Sequence, residues 1–231
     1  MNIHVGRTVF AFGDSLTEGM GHQSMFRNKS SYHPYTIALA EHLPHSTVIE
    51  SGLSGEVVGH MRTRLKSEIM EREFTEPIVV VILGGTNDIG MRHPVSATVR
   101  DIIGMHQDLK VLQKSKRIIH TVAMTVPTFP SDRNREARLA VNDAIRSYAD
   151  QSGGFTLLLD IEDLFVMQPC KRTSKTRADD MKCIKNKIPY DPQNQQFWDR
   201  HSSLHFSESG YDALGRIVYE RLCEGKSYFT K

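Results

Sequence analysis

Five short apolar runs, each separated from the next by a stretch of helical periodicity, constrain this 231-residue chain more than any other feature. Residues 8–12, 46–50, 77–83, 117–122 and 155–159 are continuous rather than alternating in apolar character. Runs of this kind suit strands of a parallel sheet covered on both faces. Between them, apolar residues recur every three or four positions. Val57, Met61, Leu65 and Ile69 share a face in 56–73; Val95, Val99, Ile102, Leu109 and Leu112 do so in 95–114. Ala137, Val141, Ala144, Ile145 and Tyr148 form a stripe in 133–151, and Tyr211, Leu214, Val218 and Leu222 form one in 208–223. Such stripes mark helices with one buried face. Strand–helix–strand alternation predicts an α/β fold, with helices on both sides of a parallel sheet and right-handed crossovers. The length suits one domain over 1–231. Residues 166–197 break the rhythm: Lys171, Arg172, Lys175, Arg177, Lys182, Lys185 and Lys187 mark a basic loop insertion, read as a solvated surface segment or a lid.

In an open α/β sheet, ligands bind at the carboxyl ends of the strands. Gly13-Asp14-Ser15-Leu16 follows the first apolar run, so Ser15 is a candidate nucleophile at that edge. Gly, Asp and Ser also favour ordinary turns, and the tetrapeptide alone decides little. Three further segments support it. Glu50-Ser51-Gly52-Leu53-Ser54-Gly55 follows the second run, Gly84-Gly85-Thr86-Asn87-Asp88 follows the third, and Leu204-His205-Phe206-Ser207 precedes Gly210-Tyr211 and the last helix.

Together these four blocks resemble those of the SGNH, or GDSL-type, hydrolase superfamily, and most closely its small intracellular-type esterases. The resemblance runs from Phe10 to about Leu222, clear at the blocks and vague between them. It implies a three-layer α/β/α fold on a five-stranded parallel sheet in the flavodoxin-like order 2-1-3-4-5. It also implies a serine esterase acting on a small or medium acyl ester through an acyl-enzyme. Acyl transfer needs a nucleophile, a base, a group orienting the base, and donors for the oxyanion. Ser15 supplies the hydroxyl and His205 the near-neutral base. By resemblance, the oxyanion donors are the backbone N–H groups of Ser15 and Gly55 and the side-chain amide of Asn87, with Gly52 a rival for the second. Asp14 and Asp88 read as scaffold residues that accept hydrogen bonds from loop backbone.

The chain departs from the family at the orienting acid. The usual pattern is Asp-x-x-His, but Ser202 stands three residues before His205, and the nearest upstream acid is Asp199. Asp199 is the expected orienting residue, with Ser202 or a backbone carbonyl as the alternative. Met20, Met25, Phe26, Tyr32 and Phe129 are candidates for an acyl pocket or for core packing. The missing Asp-x-x-His also keeps open a second reading, a catalytically impaired binding or regulatory module.

Composition excludes other classes. The formal net charge of +2 gives no argument for nucleic acid or a membrane surface. No apolar run approaches the roughly 20 residues that span a bilayer, and no basic segment followed by an apolar one opens the chain, so a cytoplasmic protein is expected. Cys170, Cys183 and Cys223 are widely spaced and match no metal or redox motif. A reduced protein without metal or cofactor is expected, a Cys170–Cys183 bridge being the alternative. Neither Gly-x-Gly-x-x-Gly nor a P-loop occurs, which argues against a nucleotide binder. The expected partner is a small-molecule ester; the oligomeric state is left open.

Overall fold

The structure, a computed structural model, describes residues 7–23, 30–129, 134–165, 196–199, 202 and 204–224. Met25, Phe26, Cys170, Cys183 and nearly all of the basic insertion lie outside the described residues. In chain order the elements are β1 (Thr8–Gly13), α1 (Ser15–Glu18), β2 (Met20–Gln23), β3 (Ser30–Tyr32), α2 (Thr36–His42), β4 (Thr47–Gly52), α3 (Val58–Glu71) and β5 (Ile78–Leu83). Then come α4 (Thr86–Gly90), α5 (Val95–Val111), β6 (Ile118–Met124), α6 (Arg135–Gln151), β7 (Thr156–Leu159) and α7 (Glu208–Glu224).

Five strands form one parallel sheet in the order β4-β1-β5-β6-β7. Counted among the sheet's own strands, this is 2-1-3-4-5, the expected order. Helices cover both faces. Helix α2 packs against α7, while α3, α5 and α6 form a second group. The central strands β1 and β5 are buried throughout, which is why their residues are apolar without alternation. Strand β4 differs from that reading: it is exposed or half-buried along its length, because it has a neighbour on one side only.

The register sets the site. Gly13 of β1 pairs with Gly52 of β4 and with Leu83 of β5, so three adjacent strands end level. The order reverses at β1, the switch point where such sheets leave a crevice. The loops after β1, β4 and β5 therefore open into one space.

Several elements escape periodicity. Helices α1 and α4, with 4 and 5 residues, are too short to display a stripe. The pair β2–β3 is a small antiparallel ribbon outside the main sheet. The buried face of α6 is partly polar. Arg138 is buried and ion-pairs with Glu162 at 2.8 Å. Asn142 accepts from the Val126 N–H at 2.7 Å and donates to its carbonyl at 2.9 Å, clamping the chain after β6.

The segment before α7 is anchored by aromatic side chains. Phe206 is fully buried; its ring lies 4.9 Å from that of Trp198, 5.1 Å from that of Phe165 and 5.4 Å from that of Tyr211. Trp198 and Phe206 also form an antiparallel bridge, and Trp198 Nε1–H donates to the Phe165 carbonyl at 3.2 Å. This cluster fixes the backbone on either side of His205.

Gly52 shows how tightly the first helix docks. A Cβ at this position would lie 2.1 Å from the backbone nitrogen of Glu18 and 2.8 Å from the carbonyl oxygen of Asp14. Backbone cannot yield as a side-chain end can. Gly52→Ala is predicted to lower stability by about 1–3 kcal/mol, the usual cost of overpacking, read by denaturant unfolding. An unchanged midpoint would contradict the need for this close approach.

Candidate active site

Ser15 is the first residue of α1, directly beyond β1. Its placement follows from the Asp14 cap: Asp14 Oδ1 accepts the Leu16 N–H at 3.0 Å, and the Asp14 carbonyl accepts the N–H groups of Thr17 and Glu18 at 3.0 Å. The cap leaves the Ser15 N–H with no acceptor among the described residues. His205, 190 residues further on, brings Nε2 to 3.1 Å from Ser15 Oγ. The imidazole is half-buried. Burial lowers its pKa, and the negative charge of Asp199 offsets part of that effect. The ring is therefore neutral at and above neutral pH, as a proton acceptor must be.

The expected oxyanion donors stand at or just beyond the ends of β1, β4 and β5. Leu53 to Glu56 form a turn closed by the Glu56 N–H on the Leu53 carbonyl at 3.2 Å. Gly55 is its third residue, with φ of +80°, a conformation that favours glycine. The Gly55 N–H has no acceptor among the described residues. The rival Gly52 is committed, since its N–H donates to the Glu50 carboxylate. Asn87 lies in α4 beyond β5 and donates one amide hydrogen to the Glu56 carbonyl at 2.8 Å. Its amide carries a second hydrogen.

Glu18, Glu56 and Arg64, which belong to no motif, hold this arrangement together with Asp88. Glu18 accepts the Ser54 N–H at 2.8 Å and also binds the Ser54 hydroxyl. The Arg64 guanidinium donates to the Gly13 carbonyl at 3.0 Å and to the buried Glu56 carboxylate at 2.7 Å. It lies 4.0 Å over the Phe12 ring. Arg64 thus ties the end of β1 to the turn that carries Gly55. Asp88 Oδ2 accepts the Val58 N–H at 3.0 Å, fixing the start of α3. Asp14 and Asp88 are scaffold acceptors, as their loop positions suggested.

The expectation that Asp199 orients the imidazole is corrected. The hydrogen-bond partner of His205 Nδ1 is Ser202 Oγ, at 3.1 Å. The Asp199 backbone brackets the loop instead: its N–H donates to the His205 carbonyl at 3.1 Å, and its carbonyl accepts the Ser202 N–H at 3.2 Å. Its carboxylate acts on His205 through charge. The residue three before the histidine keeps its place beside Nδ1 even though it is a serine.

The acyl-pocket candidates divide. Met20 is half-buried beside Ser54, with its sulfur 3.3 Å from Ser54 Oγ. Tyr32 is half-exposed on the β2–β3 ribbon, and Leu53 is equally exposed on the turn beside Ser54. Phe129 belongs to the core, edge-on to Trp198. Among the described residues, no group of three or more His, Cys, Asp and Glu side chains is placed to hold a metal ion. No helix among them is long and apolar enough to cross a membrane.

The model of the GDSL-like lipase/acylhydrolase family matches residues 11–213. No curated protein matches. Among solved structures, Est24, a carbohydrate acetylesterase from Sinorhizobium meliloti, is 17% identical, with 94% of this chain and 99% of that one covered and a TM-score of 0.65. The lipase/acylhydrolase from Enterococcus faecalis is 17% identical, with 95% and 96% covered and a TM-score of 0.63. A member of the lipolytic protein G-D-S-L family from Veillonella parvula is 16% identical, with 96% and 98% covered and a TM-score of 0.63. At these identities the structures share a fold.

Two titrations are predicted. Burial, reinforced by the charges of Asp88 and Glu56, pushes the Asp14 carboxyl up to about 7. A carboxyl whose folded pKa is raised contributes stability that is full below its ordinary value near 4 and is lost as pH rises through about 7. Asp14→Asn keeps the oxygen that caps Leu16 and removes this titration. Its unfolding free energy should therefore gain on wild type between about pH 4 and pH 8; parallel curves across that range would contradict the burial argument. Separately, Asp199→Asn removes a charge that favours imidazolium. The acid limb of the activity profile should move to lower pH, with turnover falling less than about tenfold. A loss near the 10⁴-fold seen when a direct triad aspartate is neutralised would contradict the assignment of Nδ1 to Ser202.

Proposed function

We propose that this chain, which belongs to the GDSL-like lipase/acylhydrolase family and is an ester hydrolase, cleaves a small or medium acyl ester through an acyl-enzyme on Ser15. The observation that carries the reading is the 3.1 Å approach of His205 Nε2 to Ser15 Oγ. In the reaction, Ser15 Oγ attacks the ester carbonyl while Nε2 accepts its proton. Negative charge then develops on the carbonyl oxygen. The N–H groups of Ser15 and Gly55 and the free amide hydrogen of Asn87 receive it. One such donor is typically worth 10²–10³ in rate, because it is held in place before charge appears. Collapse expels the alcohol, which takes the proton from His205. Water activated by the same imidazole then releases the acid and restores Ser15.

Met20, Leu53 and Tyr32 supply an apolar border beside the turn, which suits a short acyl or alcohol group. Est24 is described as a carbohydrate acetylesterase, so acetyl on a sugar heads the classes of ester to try, followed by short free esters, thioesters and lysophospholipids.

A second reading is favoured by one observation, the hydroxyl rather than carboxylate at His205 Nδ1. On that reading the fold serves as a catalytically impaired binding or regulatory module. A panel of p-nitrophenyl esters from acetate to octanoate separates the two. Wild type should turn over the short members. Ser15→Ala should lose at least about 10³ in kcat, and Asn87→Ala about 10²–10³. Hydrolysis that persists in folded Ser15→Ala would contradict Ser15 as the nucleophile, and a wild-type rate that never exceeds that in buffer would favour the binding module.

A further inference from the structure

A serine hydroxyl carries one hydrogen and two lone pairs. Ser202 Oγ accepts the backbone N–H of Leu204 at 3.1 Å and the backbone N–H of His205 at 3.0 Å. Both lone pairs are then engaged. The remaining capacity of the oxygen is its own hydrogen, and the acceptor in reach among the described residues is His205 Nδ1 at 3.1 Å. If Ser202 O–H donates to Nδ1, that nitrogen carries no hydrogen in the neutral ring. The single ring hydrogen then sits on Nε2, 3.1 Å from Ser15 Oγ, and points at the atom whose proton must be removed.

We infer that Ser202 is a positioning residue that holds the resting imidazole of His205 in the tautomer with hydrogen on Nε2, and that the site is thereby restrained. The inference rests on the esterase reading above and adds what sets its rate. For Ser15 to lose its proton to Nε2, the ring must first carry its hydrogen on Nδ1 instead. The Ser202 hydroxyl must then turn its hydrogen away, leaving Nδ1–H facing an oxygen already filled by two backbone donors. Losing a hydrogen bond to a partly buried group costs on the order of tenfold in population. Among the described residues, no carboxylate is within hydrogen-bond reach of the imidazolium formed during attack. A carboxylate at this position would behave differently. Its two oxygens offer about four acceptor sites and no hydrogen. It could take both backbone N–H groups and still accept Nδ1–H, presenting an available Nε2 lone pair to Ser15.

The test reads the tautomer in the free protein and the rate separately. Protein with ¹⁵N-labelled histidine is examined by NMR at pH 8, where the ring is neutral, and His205 is assigned with His205→Gln. In wild type, Nε2 should bear the hydrogen and Nδ1 should not. Ser202→Thr, which keeps the hydroxyl, should keep that pattern. Ser202→Asp should move the hydrogen to Nδ1, raise kcat on p-nitrophenyl acetate and the fluorophosphonate labelling rate of Ser15 at least tenfold, and leave KM nearly unchanged. A wild-type ring with hydrogen on Nδ1 overturns the inference without recourse to any variant. A folded Ser202→Asp protein whose tautomer reverses with no gain in rate overturns the restraint. Absence of turnover and labelling in every variant, with the tautomers as expected, would instead refute the esterase reading and leave the tautomer assignment standing.

Discussion

The level ending of three neighbouring strands is the constraint on which the rest of the molecule depends. Because Gly13, Gly52 and Leu83 share a register, the loops that follow them leave the sheet at one height. The first loop carries Ser15, the second Gly55 and the third Asn87, and each is fixed by hydrogen bonds to its neighbours. A shift of one residue in any of these strands would turn its side chains to the opposite face and move its donor by about 3.3 Å, beyond hydrogen-bond reach of a shared oxyanion. The continuous burial of β1 and β5 opposes such a shift, since every residue of both strands is packed.

Charge is managed with equal economy around the nucleophile. The Arg64 guanidinium lies between Glu56 and Glu68 and reaches the Gly13 carbonyl, so these two carboxylates are paired. The Asp14 carboxyl is buried with one oxygen unpartnered and holds its proton up to near neutrality. The imidazole is kept neutral by burial. On the proposed mechanism, the space beside Ser15 would meet a substrate carbonyl with N–H donors. This is the condition under which fixed dipoles stabilise an oxyanion well.

Much of this was legible in the sequence, for reasons that are local. The central strands announce themselves because burial on both faces demands unbroken apolar runs, and α7 because Tyr211, Leu214, Val218 and Leu222 all point inward. Gly55 stands in a turn whose positive φ glycine favours, and Asn87 follows directly on the third apolar run, in the first turn of α4. Other features are set by distant parts of the chain and leave no local trace. Nothing in their spacing indicates that Glu18 meets Ser54 or that Arg64 meets Glu56. The buried stripe of α6 includes Arg138 and Asn142, polar residues that periodicity assigns to solvent; their partners Glu162 and Val126 lie in other segments. Asp199 is the nearest upstream acid, but its backbone hydrogen bonds to His205 and Ser202 close the loop and leave Ser202 at Nδ1.

The central claim is that Ser15 becomes acylated with His205 as its base. Intact-mass and peptide mass spectrometry of protein quenched in acid during turnover of an activated acetyl ester measures this directly. The account predicts one acetyl adduct, on the peptide containing Ser15, that fails to accumulate in His205→Ala. An adduct on another residue, or one that forms on Ser15 at the same rate without the imidazole, would contradict it.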